Sequence, residues 1–369
     1  MIGEIDMPDR TGIAFEPAAN KVSAAERARL LVDPGFGRVF TDHMALIEYD
    51  EREGWHDARI VGRQSFTLDP ASPVLHYAQE IFEGMKAYRR PGGGATLFRP
   101  DANAKRFAKS ALRMAMPPLP EDMFLDSVRA LVRVDRDWIP EMEDGSLYLR
   151  PFMIANGSFL GMRASTQFIY AVIASSVGAY FKGDASSVSL WVTREYVRAA
   201  PGGTGEAKCG GNYAGSLIAQ AEAIRQGCDQ VVFLDATERR WVEELGGMNV
   251  FFVFDDGSVQ TPPLDGTILH GVTRDSILTL ARDMGLTVRE EPYAIDQWHA
   301  DAESGRLTEA FACGTAAVVT PIGSVKGVDG GFTIGGQSVG PLTQRLRSAL
   351  VDIQFGTAPD PYGWTERVF

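Results

Sequence analysis

Apolar and polar positions alternate through Ala45-Leu46-Ile47-Glu48-Tyr49 and again from Trp55 to Leu68, with Glu51 to Gly54 between them, which predicts two strands joined by a turn. Glu80 to Tyr88 and Ala95-Thr96-Leu97-Phe98 follow, separated by Pro91-Gly92-Gly93-Gly94, which is most simply a hairpin turn and not a ligand loop. The period then changes. Asp101, after Pro100, is placed to cap a helix through Met116 with Phe107, Ala111 and Met114 inward, and Pro117-Pro118 stops it. A second helix spans Glu121 to Trp138 with Phe124, Val128, Leu131 and Val132 inward. Strand character returns at Ser146 to Phe152 and at Gln167 to Ser175, and Gly178 to Asp184 breaks it.

The second half opens with a strand, Val188 to Val197. Next come a Gly-rich run, Lys208-Cys209-Gly210-Gly211-Asn212-Tyr213, and a helix expected to start near Tyr213 with Leu217, Ala221 and Ile224 as its apolar stripe. Gln230 to Leu234 is a buried strand. Arg240 to Glu244 leads through Gly246-Gly247 into Asn249 to Phe254, which turns at Asp255-Asp256-Gly257 into Ser258-Val259-Gln260. Gly271-Val272-Thr273 opens a helix through Met284, and Phe311 to Thr320 reads as a strand with a small-residue kink. This order predicts an arm (1–40), a small α/β domain (41–177), a connecting loop (178–187) and a larger domain (188–369).

A chain of 369 residues exceeds the usual single core, which supports two domains. Its net charge of −12, without a basic cluster, argues against nucleic acid and anionic membrane as partners. The longest apolar run, Phe168 to Phe181, is broken by Ser175, Ser176 and Gly178 and is too short to span a bilayer. Met1 to Glu16 has neither a signal peptide's apolar core nor a transit peptide's character. Cys209, Cys228 and Cys313 form no disulfide or zinc pattern, and His43, His56, His76, His270 and His299 lack ligand spacing. A metal-free protein of the reducing cytoplasm is the expectation.

Lys208 is the residue with the most chemistry in prospect. It stands before a tight turn after Pro201-Gly202-Gly203-Thr204-Gly205, so it reaches inward from an element's edge, where desolvation would favour the neutral amine that attacks a carbonyl. A Walker loop is excluded, because Ala207 precedes the lysine and Cys209 follows it. Tyr213 lies five residues on, Glu244 ends a strand, and Arg106, Val272-Thr273 and Gly314-Thr315 offer donors for an anion. Singly these read as a loop lysine, a turn carboxylate, a surface charge and a cap. Together they supply what a pyridoxal phosphate enzyme needs: an amine for the aldehyde, partners for the pyridine nitrogen and phenolic oxygen, and a phosphate cup.

In this order they resemble the branched-chain-amino-acid aminotransferases, a fold type IV pyridoxal phosphate family, from about Gly35 to Trp364. The likeness is carried by Leu75-His76-Tyr77, Phe82 to Lys86, Leu97 to Pro100, Tyr148 to Pro151, Lys208 to Tyr213, Glu244 to Asn249, Thr261 to Leu264, Gly271 to Arg274 and Gly314 to Ala317. The resemblance implies two α/β domains with the cofactor between them and a homodimer that exchanges amino groups between L-leucine, L-isoleucine or L-valine and 2-oxoglutarate. It also implies that Lys208 carries the cofactor, Glu244 meets the pyridine nitrogen and Tyr213 the phenolic oxygen, while Arg106, Val272, Thr273 and Thr315 take the phosphate. Backbone N–H groups of Ala316 and Ala317 would hold the substrate carboxylate, and Tyr77, Phe82, Tyr148, Arg150 and Tyr180 would surround its side chain. Two departures stand out. Ala317 and Thr320 occupy the places of a Cys-x-x-Cys redox pair in mammalian relatives, and Gly247 stands where many relatives have a hydroxyl. A D-amino-acid aminotransferase or aminodeoxychorismate lyase of the same fold, and a pyridoxal phosphate carrier without turnover, remain open as alternatives.

Overall fold

The computed structural model describes residues 12–142, 144–178 and 187–369. The chain divides into two compact units, Met1–Tyr180 with Ile353–Phe369, and Phe181–Asp352. The C-terminal segment, expected with the second domain, thus belongs to the first unit.

In the first unit the arm carries β1 (Ala14–Phe15), which pairs in parallel with Arg59 and Ile60, and α1 (Ala24–Leu30). The long hairpin is β2 (Val39–Asp50) and β3 (Gly54–Gly62), the second strand ending six residues earlier than its pattern suggested. A short helix α2 (Pro73–Tyr77) precedes β4 (Glu80–Phe82), β5 (Met85–Arg89) and β6 (Ala95–Phe98). The run read as one segment is therefore two strands broken at Glu83-Gly84. Helix α3 (Pro100–Arg113) is entered through Arg99 at φ 48° with Pro100 in its first turn, so Asp101 lies inside the helix and not at its cap. Helix α4 (Glu121–Val134) buries Phe124, Val128, Leu131 and Val132, one stripe of a 3.6-residue period. Strands β7 (Ser146–Ala155) and β8 (Gln167–Val177) complete a sheet ordered β1-β3-β2-β8-β7-β5-β6, with the C-terminal strand Thr365–Arg367 beside β6 and β4 on β7. Phe107 of α3 and Phe124 of α4 meet Tyr170 of β8 at ring separations of 5.5 and 6.0 Å, fixing both helices on the sheet.

The second unit holds β9 (Val188–Val192), α5 (Gly210–Arg225), β10 (Gln230–Leu234), β11 (Val242–Leu245), β12 (Asn249–Phe254) and β13 (Val259–Thr261). Helix α6 (Val272–Asp283), β14 (Val288–Glu290), α7 (Ile295–Ser304), β15 (Leu307–Gly314), β16 (Val318–Gly327), β17 (Gly330–Thr333) and α8 (Pro341–Phe355), whose last three residues are counted with the first unit, follow. Its sheet runs β11-β10-β9-β16-β15-β12-β13-β14, with β17 on β16. The core beneath it includes Phe252, Trp298, Val250 and Leu190, all buried, with Trp298 meeting Phe252 edge-on at 4.9 Å. Burying side chains of this size is worth about 1.5–3 kcal/mol each. Helix α5 starts at Gly210, three residues before the expected Tyr213, and buries Asn212, Ala219 and Ala223, whereas Leu217 and Ile224 are 68% and 64% exposed. The expected stripe is thus the outer face. Between β15 and β16 the expected kink is a tight turn, Thr315 to Ala317, that pairs Gly314 with Val318. Among the described residues no helix is long and apolar enough to cross a membrane.

Candidate active site

Asn212, in the first turn of α5, organises the approach to Lys208. Its amide donates to the carbonyls of Thr204 and Ala207, both at 2.8 Å, and its oxygen accepts from the Thr204 hydroxyl at 2.6 Å. The flexible Gly-rich run is thereby closed into a turn, and a Cβ on Gly205 would overlap the Thr267 carbonyl. Lys208, half-buried at the end of this turn, donates from Nζ to the Tyr213 hydroxyl at 2.9 Å. A Cβ at Gly247 would come within 3.2 Å of Tyr213 Cε1. The Tyr213 ring thus packs close against the backbone at Gly247.

Glu244 is 1% exposed on β11. Its Oε2 pairs with Arg198 Nε at 3.2 Å, and its Oε1 accepts from the Leu269 N–H. Arg198 is buried as well, and its Nη1 also donates to the Thr267 carbonyl at 2.9 Å, with Gly205 O a further acceptor. A charge so enclosed persists because it is paired and hydrogen-bonded. Glu244 is accordingly not a solvated turn carboxylate. The Leu269 carbonyl accepts from Asn249 Nδ2 at 3.2 Å, and two residues later Gly271 leads into α6, where Val272 and Thr273 are buried in the first turn. Thr315, Ala316 and Ala317 form the half-buried β15–β16 turn, followed by Val318 at φ 59°, a left-handed conformation that a β-branched side chain adopts only under strain.

The remaining expected residues lie in the first unit. Arg106 of α3 is not a surface charge: it is buried and forms a bidentate pair with fully buried Glu83, Nε to Oε1 at 2.7 Å and Nη2 to Oε2 at 2.8 Å, while Asn103 donates to the same carboxylate at 2.7 Å. Glu83 occupies the break between β4 and β5. Phe82, Tyr148 and Arg150 come together: the Arg150 guanidinium stands 4.8 Å over the Phe82 ring and its Nη2 donates to the Tyr148 hydroxyl at 3.0 Å. A Cβ on Gly84 would overlap that hydroxyl. Tyr77 is 38% exposed and its hydroxyl donates to the Leu160 carbonyl. Tyr180 lies outside the described residues.

A buried carboxylate is clamped by an arginine, and a lysine just before α5 meets a tyrosine of its first turn; the family model for amino-transferase class IV matches residues 80–325. The chain belongs to the class IV aminotransferases. It is 55% identical over 353 residues to a probable branched-chain-amino-acid aminotransferase of Streptomyces coelicolor, covering 95% of this chain and 97% of that one. Among solved structures it is similar to the branched-chain amino acid aminotransferase of Escherichia coli, with TM-score 0.73, 28% identity, and 89% and 99% of the two chains covered. It is also similar to the branched-chain amino acid aminotransferase from Thermobaculum terrenum in its PLP-form, with TM-score 0.71, 25% identity, and coverage of 89% and 98%. Within this class IV chain, sequence reasoning assigned no role to Arg198, Thr267, Asn212 or Glu83, although Asn212 and Glu83 stand in motifs that carry the resemblance. The signal for Asn212 was its place after the Gly-rich run and just before Tyr213.

Proposed function

We propose that this class IV aminotransferase moves amino groups between branched-chain L-amino acids and 2-oxoglutarate with pyridoxal phosphate, as a cytoplasmic homodimer. The observation that carries the reading is the Lys208–Tyr213 contact at 2.9 Å in the same unit as the buried Glu244–Arg198 pair. The residues fit the cofactor chemically. An amine, a phenol hydroxyl beside it and a buried anionic carboxylate are the donors and acceptors that its aldehyde, phenolic oxygen and pyridine nitrogen require. When bound, pyridoxal phosphate supplies an aldehyde that condenses with amines and a ring that delocalises the electron pair left at Cα.

The chain's own groups would do the rest. Lys208 would hold the cofactor between turnovers and, once displaced by the incoming amino group, act as the base that takes the α-proton and returns it on the other side of the reaction. Tyr213 would orient Lys208 Nζ through the hydroxyl it already meets. Glu244, kept anionic by Arg198, would favour a protonated ring nitrogen. We assign the first turn of α6, with Val272 and Thr273, together with Thr315 and Arg106, to the phosphate, because helix N-termini and cationic donors suit an anion. Ala316 and Ala317 would present backbone N–H groups to the substrate carboxylate. The Phe82–Tyr148–Arg150 trio offers an apolar wall edged by a cation, suited to a branched chain and to the distal carboxylate of glutamate; Tyr77 and Tyr180 complete the proposed cage.

Single-turnover amino transfer from a panel of L- and D-amino acids, read by cofactor absorbance, tests the reading. Reaction with L-leucine, L-isoleucine, L-valine and L-glutamate is expected. Reaction with D-alanine instead would favour the D-amino-acid alternative, and binding without transfer would favour a carrier. Sedimentation velocity reads the dimer.

A further inference from the structure

Glu243, next to the proposed ring carboxylate, has no part in the account above, yet it is 6% exposed. Its Oε1 lies 2.7 Å from Thr267 Oγ1, and its Oε2 is buried without a hydrogen-bond partner. The same Thr267 hydroxyl lies 2.9 Å from Oδ1 of Asp265, an exposed carboxylate. A threonine hydroxyl has one proton and can serve only one of the two. Arg198, the neighbouring cation, directs Nε to Glu244, Nη1 to the carbonyls of Gly205 and Thr267 and Nη2 to that of Gly205, and makes no hydrogen bond to Glu243. An ionised Glu243 would thus bury a bare oxygen and oppose Asp265 across a single proton. A neutral Glu243 removes the charge from the bare oxygen and the opposition to Asp265: its own O–H donates to Thr267 Oγ1, and Thr267 donates to Asp265.

We infer that Glu243 stands as a neutral carboxylic acid whose proton closes the chain Glu243–Thr267–Asp265, and that this makes it a positioning residue for the cofactor site. What it positions is the strap 265–269. Thr267 ties the strap to Glu243 and Arg198, Leu269 donates to Glu244, and Asn249 holds the Leu269 carbonyl, after which the chain enters α6. The strap therefore joins the carboxylate proposed for the ring to the helix start proposed for the phosphate, so this inference rests on that functional reading. Burial raises the Glu243 carboxyl to about 7; the Thr267 hydrogen bond and the Arg198 charge oppose the rise, and the Asp265 and Glu244 charges add to it. With the proton bound below that point and lost above it, the strap is tied at lower pH and loosened as pH rises. In Glu243→Gln the amide donates to Thr267 in the same way and has no proton to lose.

The test uses the full chain, wild type and Glu243→Gln. Infrared difference spectra of the cofactor-free proteins should show a protonated-carboxyl band in the wild type at about pH 6 that is gone by about pH 8.5, a range outside that of ordinary carboxylates. The dissociation constant for pyridoxal phosphate, from fluorescence quenching, should be the same in both proteins at low pH. Their ratio should then grow by up to about tenfold per pH unit above neutrality, the slope of one linked proton. Thr267→Val, which removes the tie without touching the acid, should bind weakly at low pH already and gives a second route if the Gln variant folds poorly. Absence of the carboxyl band, or a ratio that stays flat with pH, overturns the inference. If neither protein binds the cofactor, it is the proposed function that fails, and the infrared band alone then decides whether Glu243 is neutral.

Discussion

Replacing Arg198 by Leu removes the cation from Glu244 while leaving the carboxylate in place. Both side chains are nearly inaccessible, 3% and 2% exposed, so water does not screen the loss. Removing one partner of such a pair costs about 3–5 kcal/mol, because the other stays buried without the cation that offset its charge. The carbonyls of Gly205 and Thr267 lose their donor in the same step. Glu244 can escape part of this cost by taking up a proton, which sets the pH dependence. Its folded pKa in the variant then lies above the unfolded value near 4.3, the unfolded state binds fewer protons, and stability falls as pH rises through the window between them. Urea unfolding at pH values on either side of neutrality, followed by tryptophan fluorescence, should show a deficit that shrinks toward acid. Adding Glu244→Gln, which keeps the acceptor for the Leu269 N–H and removes the charge, should restore about 2 kcal/mol or more of the loss. A single variant that loses less than about 1 kcal/mol, or a double variant as unstable as the single one, would refute the buried ion pair as the clamp on Glu244.

Gly84→Ala places a Cβ on the Tyr148 hydroxyl and should cost about 1–3 kcal/mol by overpacking, measured as a lowered thermal midpoint; an unchanged midpoint would mean that Tyr148 shifts freely. Arg150→Ala should raise the Michaelis constant for glutamate and 2-oxoglutarate more than that for leucine, since the guanidinium is the cation in the Phe82–Tyr148 trio, and equal losses would leave it a packing residue only. Oxidants should leave activity intact through Cys313, whose thiol is fully buried and pushed up to about 12 by that burial; selective labelling of Cys313 in the native protein would contradict this.

The elements easiest to read from sequence were those whose inside and outside differ. Helix α4 shows its stripe through Phe124, Val128, Leu131 and Val132 because one face meets the sheet and the other meets water. Helix α5 misled because its buried face is made of Asn212, Ala219 and Ala223, small residues that allow close approach, while larger apolar side chains lie outside. The Lys208 segment was legible as chemistry, since glycines, an asparagine and a tyrosine at fixed spacing restrict the backbone and supply donors. Arg198 and Thr267 were not, because they reach Glu244 and Glu243 from 46 and 24 residues away in the chain and no local pattern marks either partner. The pairing of the C-terminal strand with β6 was hidden for the same reason: a three-residue strand has no period to detect, and its partner lies in the other half of the sequence.

The central claim is that Lys208 is the amine that carries the cofactor. Borohydride reduction of the purified protein incubated with pyridoxal phosphate, followed by proteolysis and peptide mass spectrometry, tests it directly. The account predicts a stable phosphopyridoxyl adduct on Lys208, no such adduct in Lys208→Ala, and loss of amino transfer in that variant with its circular dichroism unchanged. An adduct on another lysine, or a Lys208→Ala protein that still transaminates, would contradict it.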